Sequence, residues 1–208
     1  MKIRHIAIAA LAALSGQAFA TNTAIVTAAQ AAAATDVIFL SGSSAAKGII
    51  KGLVSQNCTA GTLATFTGPT ISQAYAGSTT ISGSVGNVYA CRVAATNDWG
   101  LPEDTVVVVN KRDLLGSGHG VFPVAQNVAV EFTDVSTCSD TAFTCTGTVS
   151  KAPDAGISDE EPTLYNGKYN RPYAFTSSAA VASTDFGSVT SVFSQVFRVA
   201  VINNLATD

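Results

Sequence analysis

Apolar runs separated by short Gly- and Ser-rich segments form the main pattern of this chain. Residues 36–40 (Asp-Val-Ile-Phe-Leu) and 105–110 (Thr-Val-Val-Val-Val-Asn) have the continuous apolar pattern of buried strands. Residues 45–54 instead place four aliphatic side chains, the last of them Val54, on one face of a helix. Between them lies a Gly/Ser turn, Ser41-Gly-Ser-Ser44, which is predicted to contain the helix N-cap. The order strand, turn, helix predicts the first half of a βαβ unit.

The remaining elements are predicted from shorter patterns. Residues 133–149 carry two cysteines and are predicted to be a disulfide-stapled insertion, whereas 57–86 is rich in Thr, Ser and Gly and receives no assignment. The patterns predict a short helix or a lead-in over 24–34, strands over 88–95, 155–157 and 192–201, a helix over 121–125, and a strand or helix end over 126–132.

Residues 1–20 have the three-part pattern of a secretory signal peptide. Lys2 and Arg4 form the basic start, residues 6–14 are apolar, and Ala18-Phe-Ala20 is a small-x-small cleavage site. The apolar run is too short to span a membrane. We therefore expect export to the periplasm or beyond the cell, cleavage before Thr21, one mature domain over 21–208, and no membrane insertion after cleavage.

The charge balance argues against some partners. The chain has 11 Lys+Arg and 14 Asp+Glu, so loss of Lys2 and Arg4 leaves nine basic against fourteen acidic side chains, a net charge of −5. No basic patch is evident in the sequence, which argues against nucleic acid and against anionic membranes as partners.

Four cysteines, Cys58, Cys91, Cys138 and Cys145, all lie in the exported part. An even number in an oxidising compartment favours two disulfides. Three pairings are possible and the sequence does not choose among them, although proximity in the chain favours Cys58–Cys91 with Cys138–Cys145. A metal site is not predicted, since there is no CxxC and the mature part has a single histidine, His119.

Three Gly/Ser clusters are the candidate binding loops. They are residues 40–46 (Leu-Ser-Gly-Ser-Ser-Ala-Ala), 115–121 (Leu-Gly-Ser-Gly-His-Gly-Val) and 154–159 (Asp-Ala-Gly-Ile-Ser-Asp). Such loops expose N–H groups and hydroxyls, and a helix that follows adds its dipole, so three of them indicate capture of a small oxyanion. The same residues also have a purely structural interpretation. In it the serines are turn or cap residues, and Asp159 is part of a solvated acidic turn.

In their order along the chain, these clusters resemble the phosphate-binding family of periplasmic solute-binding proteins. Ser41-Gly-Ser-Ser-Ala45, Gly116-Ser-Gly-His-Gly120 and Asp154–Asp159 resemble the family's successive turns, and Phe197–Asn203 more loosely resembles a later strand. The similarity extends over most of residues 36–204. It implies an α/β fold, a periplasmic-binding-protein type II-like lobe with a mixed sheet and helices on both faces.

The resemblance also implies a site. Ser44 and Ser117 would donate hydrogen bonds at helix N-termini, and Asp159 would accept the O–H of monohydrogen phosphate. Sulfate has no such proton near neutral pH and would leave the carboxylate repelled, which gives specificity. The implied partners are phosphate or a similar oxyanion and a membrane permease of the ABC type, with no cofactor and a monomeric state.

The chain also departs from this family. The family's second lobe supplies an Arg and a Ser-Gly-Thr turn that are not found here, so we expect a first lobe only. The alternative function is a secreted structural or adhesive surface protein on the same scaffold without a working anion site. An enzyme is not expected, because Ser117 lacks the Gly-x-Ser-x-Gly elbow and His119 lies too near it in sequence to serve as its base.

Overall fold

A computed structural model describes residues 25–75, 79–160, 189–193 and 198–203. The predicted signal peptide at 1–20 and the predicted cleavage site lie outside them, as does part of the segment 192–201.

The described chain forms thirteen strands, three α-helices and one 3₁₀ helix. The helices are α1 (Ala28–Ala32), α2 (Lys47–Gln56), α3 (Gly118–Ala125) and a 3₁₀ turn (Val135–Thr137). The strands are β1 (Asp36–Gly42), β2 (Ala64–Thr67), β3 (Thr70–Tyr75), β4 (Thr79–Ser84), β5 (Gly86–Arg92), β6 (Val106–Arg112), β7 (Val130–Thr133), β8 (Cys138–Ser139), β9 (Thr144–Cys145), β10 (Thr148–Lys151), β11 (Ala155–Ser158), β12 (Val189–Phe193) and β13 (Arg198–Asn203).

The principal sheet is mixed and has the order β12-β13-β11-β1-β6-β5-β2, extended by the two-residue strands β9 and β8. Its centre is parallel, since β1 pairs with β6 on one side and with β11 on the other. Strands β5 and β13 pair antiparallel on the outer sides of β6 and β11. Two small antiparallel pairs, β3-β4 and β7-β10, lie outside this sheet. The predicted α/β class with a mixed sheet is confirmed.

Helices cover both faces of the sheet, because the strands bury alternate residues on opposite sides. Val107 and Val109 pack in a cluster with Val54 of α2. Val108, between them, packs with Ala31 of α1 in a second cluster. A third cluster forms around α3 and β7 and includes Phe39 of β1, whose ring meets Phe132 edge-on at 5.1 Å.

Several sequence predictions need correction. Residues 57–86, left unassigned, contain β2, β3 and β4, and α3 begins at Gly118 inside the predicted turn rather than at Val121. The single strand predicted over 192–201 is wrong: β12 and β13 pair antiparallel, with Phe193 opposite Arg198. The mixture of alternating and adjacent apolar residues over 192–201 does not show where one strand ends and the next begins.

The first turn of α3 lies directly against the backbone of β1 and β11. A Cβ on Gly120 would lie 2.1 Å from the Ile157 carbonyl oxygen and 2.9 Å from the Gly42 Cα. A Cβ on Gly156 would lie 1.6 Å from the Gly120 carbonyl oxygen. Only glycine permits this approach. The three glycines thereby place the N-terminus of α3 at the ends of the two parallel strands.

Two disulfides link the cysteines in the favoured pairing. Cys58 bonds to Cys91 and Cys138 bonds to Cys145. The first bond ties the segment after α2 to β5, and the second closes β8 onto β9. Among the described helices, none combines the length and the apolar character needed to cross a bilayer.

Candidate functional site

The carboxyl ends of β1, β6 and β11 meet at one edge of the sheet. These strands end at Gly42, Arg112 and Ser158, and they run parallel, so the residues that follow each of them lie at the same edge. In open α/β sheets this edge is where ligands bind. The three Gly/Ser clusters singled out in the sequence all contribute to it.

Ser117 and Asp159 are in direct contact at this edge. The Ser117 hydroxyl donates a hydrogen bond to Asp159 Oδ1, and the Asp159 backbone N–H points back at the Ser117 Oγ at 3.4 Å. Ser117 is the residue that precedes α3, and its side chain does not cap the helix. The positive end of the α3 dipole favours a carboxylate at this position. Two of the three predicted site residues are therefore brought together.

Ser44 lies at the same edge, but it does not cap α2. The N-cap is Ala46, and the Ser44 carbonyl accepts a hydrogen bond from the Lys47 N–H, so the predicted capping turn is displaced by two residues. The Ser44 side chain is exposed. Its neighbour Ser43 is buried and donates its N–H to the Ile157 carbonyl at 2.8 Å, which fixes this loop beside the end of β11.

Asp154, at the other end of the third cluster, has a different role. Its N–H donates to the Phe39 carbonyl at 2.8 Å, and its carboxylate accepts the Phe39 N–H at 2.7 Å. This pair fixes the entry of β11 beside β1, at the opposite end of β11 from Asp159. Of the two aspartates in the cluster, only Asp159 belongs to the candidate site.

Lys111 is a buried cation that the sequence analysis did not assign to the site. Its Nζ lies 2.9 Å from the Gly42 carbonyl oxygen, 3.2 Å from that of Ser43 and 2.8 Å from that of Arg112, and it forms a 2.7 Å ion pair with Asp113. Burial lowers the pKa of Lys111, and Asp113 opposes that shift. Lys111 holds the loop after β1, and its hydrogens are directed at protein acceptors.

Arg112 is also fully buried and is also occupied by protein oxygens. Its guanidinium donates to the Glu131 carbonyl at 2.9 Å, to the Gln73 Oε1 at 2.7 Å and to the Leu114 carbonyl. Burial lowers its pKa to about 10, so it remains charged near neutral pH. The sequence pattern did not indicate this burial, because the strand was predicted to end at Asn110 and β6 instead continues through Lys111 and Arg112.

His119 is the second residue of α3 and has no exposed surface. Burial, with a further contribution from the Arg112 charge, lowers its pKa from 6.5 to about 3. The imidazole is therefore neutral at physiological pH. It adds no positive charge to the edge at which Ser117 and Asp159 meet.

The described residues contain no group of three or more His, Cys, Asp or Glu side chains arranged to hold a metal ion. Comparisons of the chain with protein-family models, with curated proteins and with solved structures found no match.

Proposed function

We propose that this chain is an exported solute-binding domain that binds a small protonated oxyanion, such as phosphate, at the carboxyl edge of its parallel strands. The observation that supports the proposal most strongly is the contact between Ser117 and Asp159 at the N-terminus of α3. It places a hydroxyl donor, a carboxylate acceptor and a helix dipole in one place, beside the exposed Ser44.

The proposed binding step is an exchange of hydrogen bonds. The Ser117 hydroxyl turns from Asp159 to an oxygen of the anion, and Asp159 then accepts the O–H of monohydrogen phosphate. Ser44 and the N–H of Gly118, the first residue of α3, donate to the remaining oxygens, whereas the next two N–H groups of the helix already donate to the carbonyls of Gly116 and Ser117. Sulfate offers no hydrogen to Asp159, so the carboxylate would face it as an unpaired like charge.

The fold supports a wider form of the proposal. A parallel centre flanked by antiparallel strands, with helices on both faces, is compatible with a type II periplasmic-binding lobe. In that role the domain would be monomeric, would need no cofactor, would not be an enzyme, and would deliver its anion to a membrane permease of the ABC type. A second lobe would complete the site with a cation.

Replacement of Asp159 by Asn tests the site assignment. The amide keeps the size of the carboxylate but presents an N–H₂ group, so it favours sulfate relative to phosphate. We expect phosphate affinity to fall by about tenfold or more and the preference for phosphate over sulfate to disappear, since one lost charge-assisted hydrogen bond is worth about 1.5–3 kcal/mol. Glu160→Gln, one position along with the same change in charge, is the matched control. Unchanged affinity and preference in Asp159→Asn would remove Asp159 from the site.

A specific observation favours the alternative of a secreted structural or adhesive surface protein. Lys111 and Arg112, two buried cations of the described residues that lie at this end of β6, are directed at protein acceptors, and the Asp159 carboxylate already has a partner in Ser117. A scaffold that has lost its anion site would show this arrangement. It predicts no saturable oxyanion binding even by the intact gene product.

A further inference from the structure

A small cavity lies on the opposite side of the fold from α2, between α1, the sheet and the 3₁₀ turn. Its volume is about 170 Å³. Val37, Phe39 and Asn110 of β1 and β6 are among the residues that form its floor, and Ala31 of α1 and Val149 of β10 are among its walls. An apolar cavity of about 150 Å³ is large enough to hold a benzene ring. The space therefore suits a small organic molecule.

Asn110 leaves an unused acceptor in this cavity lining. The residue has no exposed surface, and its Nδ2 donates to the Thr133 carbonyl at 2.7 Å, which fixes the orientation of the amide. Its Oδ1 has no hydrogen-bond partner. A buried amide oxygen without a donor is unfavourable, so a ligand that supplies an N–H or O–H here is bound more tightly than one that does not.

Of the other polar side chains that line the cavity, Asp134 and Ser136 present acceptors, whereas the Thr133 hydroxyl is buried without a hydrogen-bond partner. Asp134 Oδ1 accepts the N–H and the hydroxyl of Ser136, at 2.9 and 2.7 Å, so the Ser136 hydrogen is already used. Among the residues that the structure describes, Asp134 is the one charged side chain that lines the cavity, and no Lys, Arg or His lines it. The Thr133 hydroxyl instead faces Gly68, where an added Cβ would lie 2.2 Å from it. A ligand with several hydrogen-bond donors and a positive charge matches this lining, and an anion does not.

We propose that this cavity binds a small primary amine with an apolar body. The ammonium group donates to Asn110 Oδ1 and faces the Asp134 carboxylate, and the apolar body fills the space among Val37, Phe39 and Val149. The site is separate from the carboxyl edge, since Asn110, Asp134 and Val149 have no part in the contacts of Ser117 or Asp159. It stands whether or not the oxyanion proposal holds.

The test is a calorimetric titration of the purified protein with benzylamine, using benzyl alcohol and benzoate as neutral and anionic probes of similar size. We expect saturable binding of benzylamine, at least tenfold weaker binding of benzyl alcohol, and none of benzoate. Equal binding of the three probes, or no binding of benzylamine by protein with a normal unfolding transition, would overturn the proposal; in the second case the Asn110 acceptor is satisfied by water only.

Two pairs of variants locate the site. Val149→Phe fills the cavity and should abolish benzylamine binding, whereas Val149→Ala leaves the space open and should retain it. Asp134→Asn keeps the side-chain acceptor that caps the 3₁₀ turn but removes the charge, so benzylamine affinity should fall about tenfold towards that of benzyl alcohol. Ser150→Ala, on an exposed position of the same strand as Val149, should change nothing. Unaltered benzylamine binding in Val149→Phe would place the amine elsewhere.

Discussion

Ser117 donates a hydrogen bond to the carboxylate of Asp159, although 42 positions separate the two residues in the chain. The contact depends on backbone packing far more than on the two side chains, because α3 is held against β1 and β11 at three glycines. The loop after β11 and the N-terminus of α3 are thereby presented together. Any ligand at this edge would meet both.

Gly120→Ala tests that dependence. The new Cβ would collide with the backbone of Ile157 and Gly42, and we expect the free energy of unfolding to fall by about 2–4 kcal/mol. Gly52→Ala is the matched control: it also lies in a helix, has nothing within 4 Å of the new Cβ, and should stabilise the protein by about 0.5–1 kcal/mol. Urea unfolding measures both. Equal effects of the two substitutions on the free energy of unfolding would contradict the close approach of α3 to the backbone of β1 and β11.

Lys111→Met tests the buried ion pair. The change leaves Asp113, with a side chain only 12 % exposed, without its cation and leaves the carbonyls of Gly42 and Ser43 without their donor. We expect a loss of about 3–5 kcal/mol in unfolding free energy. The double variant Lys111→Met/Asp113→Asn should recover part of that loss, and Lys151→Met, on an exposed strand position, should cost little. A Lys111→Met protein within about 1 kcal/mol of wild type would show that the pair is not important for stability.

His119 gives the stability a defined pH dependence. Its folded pKa of about 3 lies below the ordinary value of 6.5, so between these values the unfolded chain binds a proton that the native protein does not. Stability from this group is complete above pH 6.5 and falls by about 1.4 kcal/mol for each pH unit below it. His119→Gln should therefore show a shallower decline in unfolding free energy between pH 6.5 and 4 than wild type.

The same property has a direct spectroscopic check. The His119 ring resonances, assigned by their absence in His119→Gln, should stay at their neutral positions from pH 8 to 5. A titration midpoint near 6.5 would mean that the ring is reached by solvent, against its complete burial.

The two disulfides should contribute unequally to the free energy of unfolding. Cys58–Cys91 closes a separation of 33 residues and Cys138–Cys145 one of 7. Because the entropy removed from the unfolded chain grows with loop length, the double serine variant at the first pair should lose about 3–4 kcal/mol and that at the second about 2 kcal/mol. Chemical unfolding of the two variants under identical conditions gives the comparison. A larger loss at the second pair would contradict the loop-length argument for this protein.

The parts of the fold that the sequence predicted well are those with one unambiguous local signal. The valine run of β6 and the helical spacing in α2 each left a single interpretation. The antiparallel pair β12-β13 was missed because the apolar pattern over 192–201 does not mark the end of one strand and the start of the next. The Thr- and Ser-rich β3 and β4 were missed because their strand propensity is expressed without alternation of apolar and polar positions.

The candidate site was predictable to a similar extent. The sequence singled out three Gly/Ser clusters as candidate binding loops, and the structure places them at one edge of the sheet, where the loops after parallel strands meet. The roles of Lys111 and Arg112 were not predictable, because charged residues after a strand usually face solvent. Only the backbone carbonyls around Lys111, which no sequence pattern encodes, show that this side chain turns inward.

A calorimetric phosphate titration of residues 21–208, with sulfate as the control anion, tests oxyanion binding at the carboxyl edge. We expect saturable binding of phosphate, weaker or absent binding of sulfate, and loss of the difference in Asp159→Asn. Binding of neither anion, repeated with the intact gene product, would contradict oxyanion capture and favour the structural or adhesive scaffold.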